Sequence, residues 1–260
     1  MKKSNSKIYS KILMILFFII YYAPIVSMVI FSFNKERSLT TWYGFSFAWY
    51  NELFTNSAII KVVFWTILIA VCSTVISVII ATFASIALCK TKKNWRKLIL
   101  HVNNLPITNP DIVTALGLLL LFVSFRISRG YFTMLLAHIS FCTPYAIVNI
   151  YPKIKALDEN LIEAAMDLGA KPKEAIRKAI IPQIKSTVFA AAAISFTMSF
   201  DDFVISYFTG GTDQNISTLI YSQLKKTNPT FNALSTIIIL FIVLKIVFDK
   251  IKESKKKEEN

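Results

Sequence analysis

Cysteine and histidine, the residues that most often hold metals or form disulfides, are scarce in this sequence. Its 260 residues include three cysteines and two histidines. Cys72, Cys89 and Cys142 lie in or at the ends of apolar runs, without the paired spacing of a metal site or a redox motif. His101 and His138 are too scattered to form a ligand set. We therefore predict that the cysteines are core residues and that the chain holds no metal.

Acidic residues are scarce as well, with 15 Asp and Glu against 29 Lys and Arg, which gives a net charge of +14. Such an excess of basic residues is compatible with nucleic-acid binding, but their positions favour another interpretation. The basic residues are concentrated before the first apolar run, after the second, in the central polar segment and in the tail at 249–260. By the positive-inside rule, both termini and the central segment are cytoplasmic. We therefore expect no nucleic-acid partner and a solvated basic tail.

Long apolar runs account for most of the chain, since hydrophobic residues make up 55% of it and the mean hydropathy is +0.55. A membrane-spanning helix needs about 20 predominantly apolar residues. The first run is too long for a signal peptide and lacks a small-residue cleavage site, so we expect it to be a retained span. The sequence predicts an all-α polytopic membrane protein with six transmembrane helices in one domain over 1–260. The predicted spans are 12–33, 59–88, 105–125, 131–151, 186–208 and 231–248.

Two adjacent acids lie well inside the fifth apolar run. A carboxylate at the bilayer centre costs about 2.5–3.5 kcal/mol, which is tolerable only against water, a partner or a substrate. On a continuous helix Asp202 belongs to a polar stripe, whereas Asp201 points about 100° away. We therefore expect Asp202 to face a transport lumen and Asp201 to serve helix packing or a neighbouring subunit. The stripe consists of Ser195, Ser199, Asp202, Ser206 and Thr209.

A third acid, Asp111, lies near the start of the third run. Pro106 and Pro110 are expected to break or bend the helix there, which places Asp111 in the first turns after the bend. An acid inside a membrane span is typical of a functional site. A carboxylate also stabilises the N-terminal end of a helix dipole. Both roles, pathway residue and helix cap, stay open.

The central polar segment at 158–183 predicts two short helices joined by a glycine turn. Asp158 can cap the first helix, and Gly169 lies where a helix end favours a residue with positive φ. Pro172 can begin the second helix, and we expect Pro182 to end it. Composition alone favours an amphipathic connector on the membrane surface.

The spacing inside this segment points to a more specific function. Glu163-Ala164-Ala165, then Gly169, then Ile181-Pro182 resemble the EAA loop of ABC importer permeases. Two positions depart from the pattern, because Ala179 stands where the family has Ile and Ile181 where it has Leu; both remain apolar. The resemblance implies a coupling helix that docks in a cleft of a cytoplasmic ATPase. The implied coupling residues are Glu163, Ala164, Ala165, Asp167, Gly169 and Pro182.

The resemblance extends over nearly the whole chain and narrows to one branch of that family. NPDIV, HISFCTPYAIV, LIEAAMDLGA and SFTMSFDDFVISYFTGG are similar to permeases of spermidine/putrescine importers. This similarity implies a type I ABC importer permease fold in a bacterial inner membrane. The implied partners are membrane lipid, a second homologous permease, two ATPase subunits and an extracytoplasmic polyamine-binding protein. The implied substrate pathway includes Asp111, Ser199, Asp201, Asp202, Ser206 and Tyr207.

The same resemblance implies that another subunit binds and hydrolyses ATP. ATP and Mg would bind the partner ATPase, so we expect no cofactor and no catalytic residue in this chain. In agreement, the sequence contains no phosphate-binding GxxxxGK[ST] motif. The aromatic segment at 40–54 resembles an outer loop that faces the external binding protein, and it is also typical of an aromatic belt at the headgroups.

Three other functions are compatible with part of the pattern. An ABC importer of a cationic metal would also use intramembrane acids, whereas an anionic cargo fits them poorly. An ion-coupled carrier would explain the acids without an ATPase, but it leaves the EAA spacing unexplained. An intramembrane aspartyl protease needs two acids that face each other across helices, and the adjacent Asp201 and Asp202 diverge.

Overall fold

A computed structural model describes residues 2–158, 160–223 and 228–258, and helices dominate these residues. Within them, β-structure is limited to one bridge between Asn34 and Phe45. A π-helical turn occupies Ile176–Ile180. The helices are α1 (Lys2–Phe31), α2 (Ala48–Thr55), α3 (Ser57–Lys90), α4 (Lys93–Thr108), α5 (Asp111–Ser124), α6 (Tyr131–Lys155), α7 (Leu161–Asp167), α8 (Pro172–Ala175), α9 (Ile181–Phe200), α10 (Val204–Thr209), α11 (Ile216–Ser222) and α12 (Thr230–Glu258).

Five helical stretches of the described chain are long and apolar enough to cross a membrane, and a sixth exists if α4 and α5 are one span bent by 106°. The bend predicted from Pro106 and Pro110 is therefore present. Asn109 and Pro110 are extended, with ψ of 148° and 139°. Asn109 avoids the helical conformation because it precedes a proline. The five stretches are Tyr9–Phe31, Ser57–Lys90, Tyr131–Lys155, Pro172–Phe200 and Thr230–Lys252.

The helices group into two compact units, one with residues 1–60 and 222–260 and the other with residues 61–221. In the first unit, α12 packs against both α1 and α2. The single permease domain expected over 1–260 stays a prediction.

The aromatic segment after α1 folds around the buried side chain of Asn34. Asn34 Oδ1 accepts the Tyr43 amide (2.8 Å), and Nδ2 donates to the carbonyls of Ser38 (3.0 Å) and Thr41 (2.9 Å). The Trp49 indole donates to the Asn34 carbonyl (2.5 Å). These bonds give the segment a defined shape and leave several of its rings exposed. The exposed rings are those of Trp42, Tyr43, Phe45 and Phe47.

Helix α6 is central to the second unit and contributes to both of its apolar clusters. One cluster joins α6 to α3 and α9, and the other joins it to α5 and α10. His138 lies on the buried face of α6 next to the second cluster, with its ring 5.9 Å from that of Phe141. The first cluster includes Val78, Ala81, Ile147, Ile150, Ile184 and Ala191, and the second includes Ala115, Phe122, Ala137, Phe141, Cys142 and Ile205.

The expectation that Pro182 ends a helix is wrong, because one helical stretch runs from Pro172 to Phe200. In the π-helical turn before α9, the Ile181 amide bonds the Ile176 carbonyl, five residues back. Pro182 then lies in the first turn of α9, where a backbone N–H is not needed. The proline is thus accommodated at a helix start.

We expect Gly210→Ala to destabilise the second unit. A Cβ at Gly210 would lie 2.7 Å from the Asp213 carbonyl and 2.8 Å from the Ser206 carbonyl, and backbone cannot move aside as a side chain can. Overpacking of this kind costs about 1–3 kcal/mol. Thermal unfolding of the detergent-purified subunit measures the loss. Gly117→Ala is the matched control, because a Cβ there meets no described atom within 4 Å; equal unfolding temperatures for both variants would contradict the predicted packing.

Candidate functional site

The fifth apolar run is interrupted at its acids. Helix α9 ends at Phe200 and α10 begins at Val204, so the continuous polar stripe predicted through Asp202 does not form. The residues of the stripe are nonetheless buried on both sides of the break, because α9 and α10 keep the same side toward α6. The buried members are Ser195, Ser199, Ser206 and Thr209.

The Asp202 carboxylate accepts hydrogen bonds that backbone carbonyls would accept in a continuous helix. In a continuous helix, the amides of Ile205 and Ser206 would bond the carbonyls of Asp201 and Asp202. In the structure, the Ile205 amide donates to Asp202 Oδ1 (3.3 Å) and the Ser206 amide donates to Oδ2 (2.7 Å). Asp202 therefore satisfies backbone donors at the start of α10, and its negative charge favours that end of the helix dipole.

The carbonyls of Asp201 and Asp202, which lose these two helical bonds, also have partners. Asn215 Nδ2 donates to the Asp202 carbonyl (2.7 Å), and Ser217 Oγ donates to the Asp201 carbonyl (3.1 Å). Asn215 Oδ1 in turn accepts the Thr218 amide (2.8 Å), which caps the start of α11. A broken helix is tolerated at membrane depth only where its freed backbone groups find partners, so the break is a stable feature of this fold.

His138 connects the break to the neighbouring helices. Its Nε2 lies 3.4 Å from Asp202 Oδ2 and 2.9 Å from Ser206 Oγ, and its Nδ1 lies 2.6 Å from Ser199 Oγ. Ser199 Oγ continues the chain of bonds to Ser73 Oγ on α3 (2.9 Å). The side chain of His138 is 1% exposed and that of Asp202 is 9% exposed. One buried polar network thus joins α3, α6, α9 and α10.

The partners of Ser206 decide which histidine nitrogen carries a proton. Ser206 Oγ donates its one hydrogen to Asp202 Oδ2 (2.8 Å) and accepts from Asn215 Nδ2 (2.8 Å). The contact with His138 Nε2 can then be a hydrogen bond only if Nε2 is the donor. Every polar side-chain atom of this group has a partner, which makes the network rigid.

The two acids differ in exposure within this chain. Asp202, expected to face a lumen, is enclosed by its partners, and Asp201, expected to serve helix packing or a neighbouring subunit, is exposed. The helix break removes the 100° relation that a continuous helix would impose, and the roles of the two acids in transport stay predictions. Asp111 is the exposed first residue of α5, and its roles as pathway residue and as helix cap stay predictions. No group of three or more His, Cys, Asp or Glu among the described residues is placed to hold a metal ion.

An aromatic cluster lies beside the break. The Phe203 ring centroid is 4.7 Å from that of Tyr221 and 5.5 Å from that of Tyr207. The Tyr207 and Tyr221 centroids are 6.0 Å apart, and both residues are about half exposed, at 51% and 52%. Tyr207 was predicted as a pathway residue from the sequence, whereas Tyr221 was not.

Sequence reasoning missed His138, Asn215 and Tyr221. Asn215 had a usable signal, because Asn-x-x-Thr before an apolar stretch is similar to a helix-capping box, and Thr218 Oγ1 does accept the Asn215 amide (2.9 Å). His138 and Tyr221 had no local signal, since their partners come from distant parts of the chain.

The predicted coupling residues lie on and around α7, which is largely exposed. Glu163, Ala164 and Asp167 are exposed, Ala165 is half-buried, and Pro182 is exposed at the start of α9. Gly169 has a φ of +89°, as the glycine turn predicted. Glu163 also lines a cavity of about 320 Å³ between α7 and the ends of α3, α4 and α6, whose charged walls include Lys90, Arg96, Lys155 and Asp158.

Named relatives match the chain over most of its length. The spermidine/putrescine transport system permease protein PotC of Haemophilus influenzae is 36% identical over 239 residues, covering 90% of this chain and 93% of that protein. The putrescine transport system permease protein PotI of Escherichia coli K12 is 34% identical over 237 residues, covering 88% of this chain and 84% of that protein.

A solved structure confirms the predicted fold. A chain of the crystal structure of a bacterial ABC transporter involved in the import of the acidic polysaccharide alginate superposes with a TM-score of 0.72. The alignment covers 95% of this chain and 97% of that chain at 15% identity, so the likeness concerns the fold alone. The fold is that of a type I ABC importer permease.

The profile of one protein family, described as binding-protein-dependent transport system inner membrane component, matches residues 73–254. This match covers more than half of the chain and includes both the break and α7. The chain therefore belongs to the binding-protein-dependent transport system inner membrane components, and it is a non-catalytic permease subunit of an ABC importer in the inner membrane.

Proposed function

We propose that this chain is a transmembrane permease subunit of an ATP-driven importer of polyamines such as spermidine and putrescine. The observation that carries the proposal is the 36% identity, over 93% of its length, with a protein named as a spermidine/putrescine permease. In this proposal the chain forms half of the translocation pathway. A second homologous permease forms the other half.

The chemistry of the break supports a cationic cargo. The positive end of α10 is already occupied by the Asp202 carboxylate, so no free helix N-terminus is offered to an anion there. The exposed Asp201 supplies negative charge, and the rings of Tyr207 and Tyr221 supply faces for cation–π contact. A polyamine is an extended polycation with an apolar stem, which matches such a surface.

The exposed face of α7 supports coupling to an ATPase. Leu168 is 91% exposed next to Gly169, and Ala164 is exposed beside Glu163, so a partner surface can approach the helix backbone closely. In the proposed complex two ATPase subunits bind ATP and Mg, and this chain binds neither. The termini and α7 are cytoplasmic by the distribution of Lys and Arg.

The segment folded around Asn34 supports an external partner. Phe45 and Phe47 are 64% and 61% exposed although their backbone is fixed by hydrogen bonds and by the bridge to Asn34. Rigid exposed aromatics are enriched at protein interfaces. We assign this surface to the extracytoplasmic polyamine-binding protein.

The cargo is tested by uptake of labelled spermidine and putrescine. Cells that carry this chain with its second permease, ATPase and binding protein are expected to show saturable uptake, which is lost when the ATPase is inactivated. The reason is that an ABC permease moves cargo only when ATP turnover on its partner changes its conformation. ATP-dependent uptake of a divalent metal alone would exclude the polyamine assignment, and uptake that survives ATPase inactivation would indicate an ion-coupled carrier.

The coupling role is tested by two substitutions at Gly169. Its φ of +89° strains a β-branched residue, at a cost of about 1–2 kcal/mol, whereas Asn tolerates positive φ. A Cβ at this position meets no described atom within 4 Å, so backbone strain is the main cost. We expect Gly169→Val to reduce ATPase co-purification and cargo-stimulated ATP hydrolysis several-fold, and Gly169→Asn to retain both. If Gly169→Val retained both ATPase co-purification and cargo-stimulated ATP hydrolysis as Gly169→Asn does, the loop would have no part in the coupling mechanism.

A further inference from the structure

The two adjacent acids at the break differ in how many hydrogen-bond partners their carboxylates have. The Asp202 carboxylate accepts three hydrogen bonds, from the amides of Ile205 and Ser206 and from the Ser206 hydroxyl, and His138 Nε2 lies 3.4 Å from its Oδ2. A carboxylate has about four lone-pair positions. A substrate ammonium could bind Asp202 only by displacing groups that hold α10 and α6 together.

Asp201 bonds other described residues through its backbone alone. Its amide donates to the Thr197 carbonyl (3.2 Å), and its carbonyl accepts from Ser217 Oγ (3.1 Å). Its side chain is exposed, and its only described hydrogen bond is with its own backbone amide. The backbone of Asp201 is therefore held in place, while its carboxylate is open to a cation.

Helix α11 places an aromatic face at the same position. Ser217, which bonds Asp201, lies one helical turn before Tyr221, so both residues are on one face of α11. The Tyr221 ring contacts the ring of Phe203, two residues after Asp201. Ring faces beside a carboxylate are a combination that suits an alkylammonium group, because the charge meets the acid and the methylenes meet the rings.

We propose that Asp201, with the rings of Tyr207 and Tyr221, receives an ammonium group of the cargo, and that Asp202 and His138 are positioning residues that hold the helix break. This assignment rests on the proposed function for the identity of the cargo. The positioning role does not, because it follows from the hydrogen bonds within this chain. Asn215 belongs to the same positioning group, since it bonds both the Asp202 carbonyl and Ser206 Oγ.

A comparison of Asp201→Asn with Asp202→Asn in the assembled transporter distinguishes the cargo-binding role from the positioning role. Asp201→Asn removes the charge that meets the cargo, so KM for spermidine is expected to rise at least tenfold with the unfolding temperature unchanged. Asp202→Asn places an amide among hydrogen-bond donors, so the unfolding temperature falls and Vmax falls with it, while KM of the remaining folded transporter changes little. Transport kinetics in vesicles and thermal unfolding of the same preparations give both quantities.

His138 and Tyr221 extend the test. His138→Leu is expected to reproduce the thermal loss of Asp202→Asn, and the double variant is expected to lose less than the sum, because both substitutions break one network. His138→Gln keeps an N–H donor, so its unfolding temperature is expected to lie between those of His138→Leu and the wild type. Tyr221→Leu is expected to raise KM more than Tyr221→Phe, which keeps the ring face.

Two results would overturn the assignment. One is an Asp202→Asn transporter with a raised KM and a normal unfolding temperature, and the other is an Asp201→Asn transporter with an unchanged KM. If the wild-type transporter takes up no polyamine, the proposed function fails instead. The thermal comparison then still decides the positioning role, since equal unfolding temperatures for wild type and Asp202→Asn would exclude it.

Discussion

The hydrogen bonds of the Asp202 carboxylate with the start of α10 are the interaction on which the site depends. They replace two bonds of a continuous helix and thereby let the fifth span break at membrane depth. Asn215 and Ser217 bond the Asp202 and Asp201 carbonyls, and His138 bonds the side chains of Ser199 and Ser206 on the two sides of the break. The result is a rigid break that exposes one acid and buries the other.

One packed helix lies between the break and the exposed helix α7. Helix α9 begins directly after the π-helical turn that follows α7 and α8, and it ends at the break. Its 20 residues span about 30 Å and pack against α6 along the first apolar cluster. Under the proposed function, α9 is the element through which a displacement of α7 would reach the break. Both ends of α9 lie in the same compact unit.

Sequence reasoning predicted the features that depend on local chemistry. The five or six apolar helices among the described residues, the bend before Asp111 and the positive φ of Gly169 follow from apolar length, proline and glycine, which act on their own neighbours. Sequence reasoning failed where contacts between residues distant in the chain determine the structure. The helix break and the enclosure of Asp202 depend on His138, 64 positions earlier, and on Asn215, 13 positions later. Pro182 was misplaced because a π-helical turn, which has no clear sequence signal, moves it to a helix start.

The measurement that tests this account most directly is amide hydrogen exchange of residues 203–209 in the purified transporter. The amides of Ile205 and Ser206 are expected to be protected in the wild type, because the Asp202 side chain accepts both. In Asp202→Asn their exchange is expected to accelerate, while in Asp201→Asn it remains as in the wild type. Equal exchange of this segment in all three proteins would contradict the claim that Asp202 holds the break.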